Sequence, residues 1–181
     1  DNALLLTAAL EMSDKKAQAH TFLEKHVQMH SNDIPSAMLL AERQIGKDRA
    51  AAIKTYEQVL AKTPDNFVVL NNLAFLALED KKLTRAEELA KKAVSLQREN
   101  ADAADTLAQI YIAKGDKAAA LKLYEEVAAR PIANDDVYLN YVSVLLELDK
   151  KALASRKLAS REFKSEAAKQ RAESLKQQYG L

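Results

Sequence analysis

Three histidines, His20, His26 and His30, lie close together near the start of a chain that has no cysteine. His26 and His30 are four positions apart, so on a helix they share one face a turn apart, and the run HVQMH can chelate a metal. The hydrolytic form of that motif needs a glutamate general base directly after the first histidine, and Val27 stands there instead. The pair therefore reads first as helix-surface or interface histidines and second as a weak metal pair.

Other catalytic groupings are poorly provided for. Glu125-Glu126 and Asp135-Asp136 are neighbours in sequence, so on a helix they point about 100° apart and cannot share a proton. Asp135 better suits a helix N-terminus, where the dipole favours negative charge. Three glycines are too few for a glycine-rich phosphate loop. A hydrolytic triad needs a histidine beside its nucleophile, and every histidine sits in one N-terminal segment. A non-enzyme without a cofactor is expected.

The elements that would position such groups are helices. With 48% hydrophobic and 29% charged residues, three glycines and three prolines, the composition is that of a soluble all-helical domain. No apolar run approaches the roughly 18 to 20 residues needed to cross a bilayer. A formal charge of +1 gives no general pull on nucleic acid. The absence of cysteine removes disulfides and thiolate chemistry and fits either redox compartment. Beginning at Asp1, the chain reads as a matured protein or a piece of a longer one.

Laid over itself at an offset of 34, the chain repeats. Counting from Ala101 as position 1, position 7 is Leu39, Leu73, Leu107 and Tyr141, position 20 is Ala52, Ala86, Ala120 and Ala154, and position 24 is Tyr56, Ala90, Tyr124 and Leu158. Position 27 is Val59, Ala93, Val127 and, out of pattern, Arg161. Polar turns such as Gly46-Lys47-Asp48 and Lys114-Gly115-Asp116 split each unit into two amphipathic helices. Pro64 and Pro131 fall near position 32, where they stop the second helix.

A 34-residue period with small residues at positions 8 and 20, a large one at 24 and a proline near the end resembles the tetratricopeptide-repeat family. The resemblance implies an all-α, right-handed superhelical solenoid of antiparallel helix pairs over 1–181. Its clear units are 33–66, 67–100 and 101–134, the last repeat is 135–163, and 164–179 is a capping helix with a polar outer face. Residues 1–32 read as a diverged or truncated unit, with Leu4, Leu5, Leu6 and Leu10 on one apolar face and Phe22, Leu23, Val27 and His26 turned inward from its second helix. Such a face would continue into a preceding repeat, whereas Gly180 suits a helix stop and makes Leu181 read as a natural C-terminus.

In that family the first helices line a concave surface, which implies a partner-binding groove of Met38, Asn71, Asn72, Phe75, Thr106, Gln109, Leu139 and Asn140. Asn72, Thr106 and Asn140 share position 6, so a row of side-chain donors and acceptors can hold the backbone of an extended peptide, with Phe75 and Met38 as apolar anchors. The competing reading is that Asn71, Asn72 and Asn140 are solvated and Phe75 packs between repeats. The family's clamp for chaperone C-terminal carboxylates is not matched: Ala37 and Ala41 precede Asn72, and Asp102 and Thr106 follow it.

Charge is uneven. Glu99 to Asp149 holds ten acidic and four basic residues, 4 − 10 = −6, and Lys150 to Leu181 holds nine basic and three acidic, 9 − 3 = +6. The blocks can attract each other, sit as solvated helix surface, or leave the basic end for an anionic partner. The function expected is a scaffold binding a peptide or helix of a protein partner. Its ending resembles the bacterial tetratricopeptide lipoproteins associated with exopolysaccharide production and PEP-CTERM sorting, which implies a periplasmic or outer-membrane-attached protein in an export assembly. A self-associating homo-oligomeric module and a regulatory domain of an enzyme are the alternatives.

Overall fold

The computed structural model describes residues 2–181. Among them are eleven α-helices and no strand: α1 (Asn2–Met12), α2 (Lys16–Met29), α3 (Ile34–Ile45), α4 (Arg49–Lys62), α5 (Phe67–Glu79), α6 (Leu83–Leu96), α7 (Ala101–Ala113), α8 (Lys117–Val127), α9 (Asp135–Glu147), α10 (Lys151–Ala159) and α11 (Glu166–Tyr179). Most begin at a side-chain cap. Asp33, Asp48, Asn100, Asp116, Asn134 and Ser165 each accept a hydrogen bond from a backbone N–H of the first turn, meeting a donor that the helix itself leaves orphaned. α4 ends at Lys62, two residues before Pro64.

The repeat is visible in what is buried. Ala19, Ala52, Ala86, Ala120 and Ala154 are all fully buried, because a methyl group there lets the paired helices approach closely. Their spacing is 33, then 34 three times, which fixes the register of the first unit one residue off the period. The turns agree: Asp14, Lys81, Gly115 and Asp149 take positive φ at 56°, 59°, 86° and 56°. Only glycine takes that conformation without strain, and one such residue follows each of α1, α5, α7 and α9.

The helices gather into two compact units, Asp1–Leu76 and Ala77–Leu181. In the first, α1 packs on α2, α2 on α3 and α3 on α4. Its core includes Leu23, Leu40, Tyr56 and Val59, with Gln44 and Thr55 buried and bonded to each other at 2.9 Å. In the second, one continuous core runs from Ala104 to Ala172 and includes Tyr124, Leu139, Val142, Leu145, Leu158 and Phe163.

The first helix departs from expectation. Ala3 and Thr7 are its buried residues, while Leu5 is 68% and Leu6 46% exposed and Leu4 and Leu10 are half-buried. Three consecutive leucines span about 200° of helix circumference, so α2 and α3 cannot cover them all. Of the second helix, Leu23 is fully buried, whereas Phe22, His26 and Val27 are only half-buried.

Arg161 is out of pattern for a reason. α10 stops at Ala159, so Arg161 lies in the connection to α11 and no longer occupies a helix interior. α11 packs on α9 and α10 through Ala168 and Ala172, presents polar residues outward, and ends at Gly180 with φ 64°.

Candidate functional site

In the first unit, four-residue spacing sets one stripe on each of three helices: Leu4 and Ala8 on α1, Ile34, Met38 and Glu42 on α3, Val68 and Asn72 on α5. Together they border a hollow of about 810 Å³. Tyr56 of α4 reaches it from below, and Asn72 Nδ2 donates to the Tyr56 hydroxyl at 2.9 Å. Burial raises the Tyr56 pKa, the Asn72 bond opposes that rise and the charge of Glu42 adds to it. Arg43 also borders the hollow, but its Nη2 donates to Glu11 Oε2 at 2.8 Å, so the two charges answer each other. Phe75, three residues beyond Asn72, is 47% exposed and Val68 46%. The side-chain oxygen of Asn71 is buried without a hydrogen-bond partner.

The second unit presents a different surface. Asp105 of α7 accepts from the Tyr124 hydroxyl and from Asn140 Nδ2, which reaches its two oxygens at 2.9 and 3.1 Å. Gln109 Nε2 donates to the Tyr124 oxygen at 3.1 Å, and Arg171 of α11 donates to Asn140 Oδ1 at 2.6 Å. Burial raises the Asp105 pKa against the pull of those donors, and raises that of Tyr124 further with the help of the Asp105 charge.

These arrangements alter the expected groove. Met38, Asn72 and Phe75 border or adjoin one hollow, whereas Gln109 and Asn140 belong to the network around Asp105. Leu139 is fully buried in the second core and Thr106 is buried, its hydroxyl bonded to the Asp102 carbonyl at 3.1 Å. Neither side chain is free to meet a partner, because the helix face at positions 5 and 6 turns partly toward its neighbours there. The row of amides is likewise engaged by Tyr56, Asp105 and Arg171.

His26 Nε2 lies 2.7 Å from Asp33 Oδ2, which also accepts from the Ser36 hydroxyl at 2.7 Å. Burial works against the Asp33 carboxylate, yet these bonds leave its pKa lowered. The His30 ring lies against that of His26, with centres 4.6 Å apart and planes tilted by 34°. Among the described residues no group of three or more His, Cys, Asp and Glu side chains is placed to hold a metal ion. Through Asp33, the N-cap of α3, His26 ties α2 to the start of the next helix.

The opposed charge blocks do attract each other. Arg161 pairs with Asp135, and Arg171 lies 3.6 Å from Asp136. Arg161 also stacks on Tyr138, 4.3 Å from its ring centre.

Sequence reasoning missed Tyr56 and Tyr124 as polar partners and Arg161 as a clasp. A signal existed for the tyrosines. Tyr56 and Tyr124 both occupy position 24 of their units, two periods apart.

Two family models described as tetratricopeptide repeat match residues 45–110 and 101–130. The chain carries tetratricopeptide repeats. Comparison with curated proteins finds no match. Among solved structures the repeats are similar to pilF of Pseudomonas aeruginosa, with TM-score 0.75 and 19% identity over 99% of this chain and 91% of that one. They are also similar to a thermophilic tetratricopeptide-repeat protein of Thermus thermophilus, with TM-score 0.72 and 19% identity over 96% of each chain. A third is MamA, from residue 41 to its end, of Desulfovibrio magneticus RS-1, with TM-score 0.72 and 14% identity over 88% and 92%. These establish the fold, that of tetratricopeptide-repeat solenoids. The repeats are generally non-catalytic and mediate protein–protein interaction. No helix among the described residues is long and apolar enough to cross a membrane.

Proposed function

We propose that the chain is a non-catalytic scaffold that holds a segment of a partner protein in the groove of its first unit. The observation that carries this is the hollow of about 810 Å³, whose border is apolar at Leu4, Ile34, Met38 and Val68 and polar at the Asn72–Tyr56 pair, Glu42 and Arg43. Exposed Val68 and Phe75 extend the apolar surface along α5.

The finer setting is a bacterial envelope or export assembly, supported by the resemblance of the C-terminal pattern to exopolysaccharide-associated lipoproteins. The test is co-precipitation from native envelope and soluble extracts with the wild-type chain and with Met38→Glu and Phe75→Ala. Loss of the same partner from both variants, with melting temperatures kept, supports the groove; retention by both rejects it. Leu5 and Leu6, exposed on α1, favour self-association as the second reading, which sedimentation of the chain alone as a monomer at high concentration would rule out.

A further inference from the structure

We infer that the occupant of the first-unit groove is an amphipathic α-helix with an uncharged apolar face, rather than an extended strand. The inference rests on the groove being the working surface. An extended segment laid into an apolar groove brings one backbone N–H and one C=O per residue, and each must find a partner. The groove offers few. Its polar groups are those of four residues: Asn72 and Tyr56, joined by one bond at 2.9 Å that leaves the Tyr56 O–H and the Asn72 oxygen over, and Glu42 and Arg43, the latter held by Glu11. A helix meets its own backbone needs and asks the groove only for apolar contact.

The groove's own pattern suits that shape. Leu4 and Ala8, Ile34 and Met38, and Val68 and Asn72 are each one helical turn apart, which makes shallow rungs at the interval that a docking helix presents at i, i+3, i+4 and i+7. Charge points the same way. Arg43 is answered by Glu11, so a charged face gains nothing inside, while exposed Glu42 at the rim suits a Lys or Arg beside the apolar face.

The experiment uses the full chain and fluorescein-labelled peptide pools of about 15 residues, long enough for helix formation in a groove. One pool places Leu, Ile, Met or Phe at helical spacing on an Ala/Lys/Glu background, and the second places them at alternate positions. Binders from the first pool are remade with a central proline, which breaks a helix. The inference expects helix-spaced binders that lose about tenfold or more in affinity with the proline and with Met38→Glu or Val68→Glu, each variant checked for an unchanged melting temperature.

Proline-bearing peptides that bind as well as their parents, or binders found only in the alternate pool, while Met38→Glu still abolishes binding, would keep the groove and overturn the helix. Binding indifferent to Met38→Glu, Val68→Glu and the exposed variant Phe75→Ser would overturn the groove itself. Failure of every helix-spaced peptide overturns the inference, and self-association abolished by Met38→Glu would assign the groove to a second copy.

Discussion

Arg161 holds Asp135 with two nitrogens, Nε at 2.9 Å and Nη2 at 2.6 Å from the same carboxylate oxygen. Its Nη1 donates to the Ile132 carbonyl at 2.7 Å, and the other Asp135 oxygen accepts from the Lys164 backbone N–H at 3.0 Å. One side chain thus ties the start of α9, the loop before it and the connection to α11. Arg161→Ala is expected to lower stability by about 1.5 to 3 kcal/mol, the range for hydrogen bonds to charged groups. Arg161→Lys is expected to recover little, since an ammonium cannot reproduce the fork. Urea denaturation of the three chains checks both.

The same pair sets a pH dependence. The Arg161 and Lys164 bonds hold the Asp135 carboxyl below its ordinary value of 3.8. A depressed carboxyl contributes stability that is fully present above that value and is lost as pH falls through the folded-state value. Arg161→Ala should therefore show a shallower loss of stability below about pH 4. Asp105 has the opposite sign, because burial raises its pKa. The difference between Asp105→Asn and wild type should move in the variant's favour as pH rises from about 3 to 7. Melting temperatures across that range decide both.

The period of 34 made the helix pairs legible, and Ala52, Ala86, Ala120 and Ala154 are fully buried as close helix packing requires. What stayed hidden depends on contacts between distant residues. Position 6 is Asn72 and Asn140, and nothing local tells that one amide is held by Tyr56 and the other by Asp105 and Arg171. Leu139 shares its unit position with half-buried Asn71 and Asp105, yet it is fully buried, because α11 gives α9 an extra neighbour. Spacing together with the family resemblance implied that Met38, Val68 and Phe75 face the groove, but the hollow beside them needed α1 in place.

Ala86→Leu and Ala120→Leu each put a branched side chain where no space exists, since both alanines are fully buried. Each is expected to cost about 1 to 3 kcal/mol. Phe75→Ala, at a half-exposed site, is expected to cost much less than the roughly 3 to 5 kcal/mol of emptying a core. Chemical denaturation of the set compares them directly, and a core-sized loss at Phe75 would remove it from the groove.

Tyr124→Phe removes the hydroxyl that donates to Asp105 and leaves a half-buried carboxylate with fewer donors. The expected cost is about 1 to 3 kcal/mol. Tyr56→Phe frees the Asn72 amide beside the groove. Its expected effect is small on stability and measurable on partner binding. Calorimetric melting and a binding titration of both variants separate the two roles.

The groove is tested most directly by site-specific photocrosslinking in native extract, with p-benzoylphenylalanine replacing Met38 in the groove or Gln58 on the exposed side of α4. A discrete adduct is expected from position 38 and none from position 58. Adducts from position 58 alone would contradict the groove and move the working surface to the second helices.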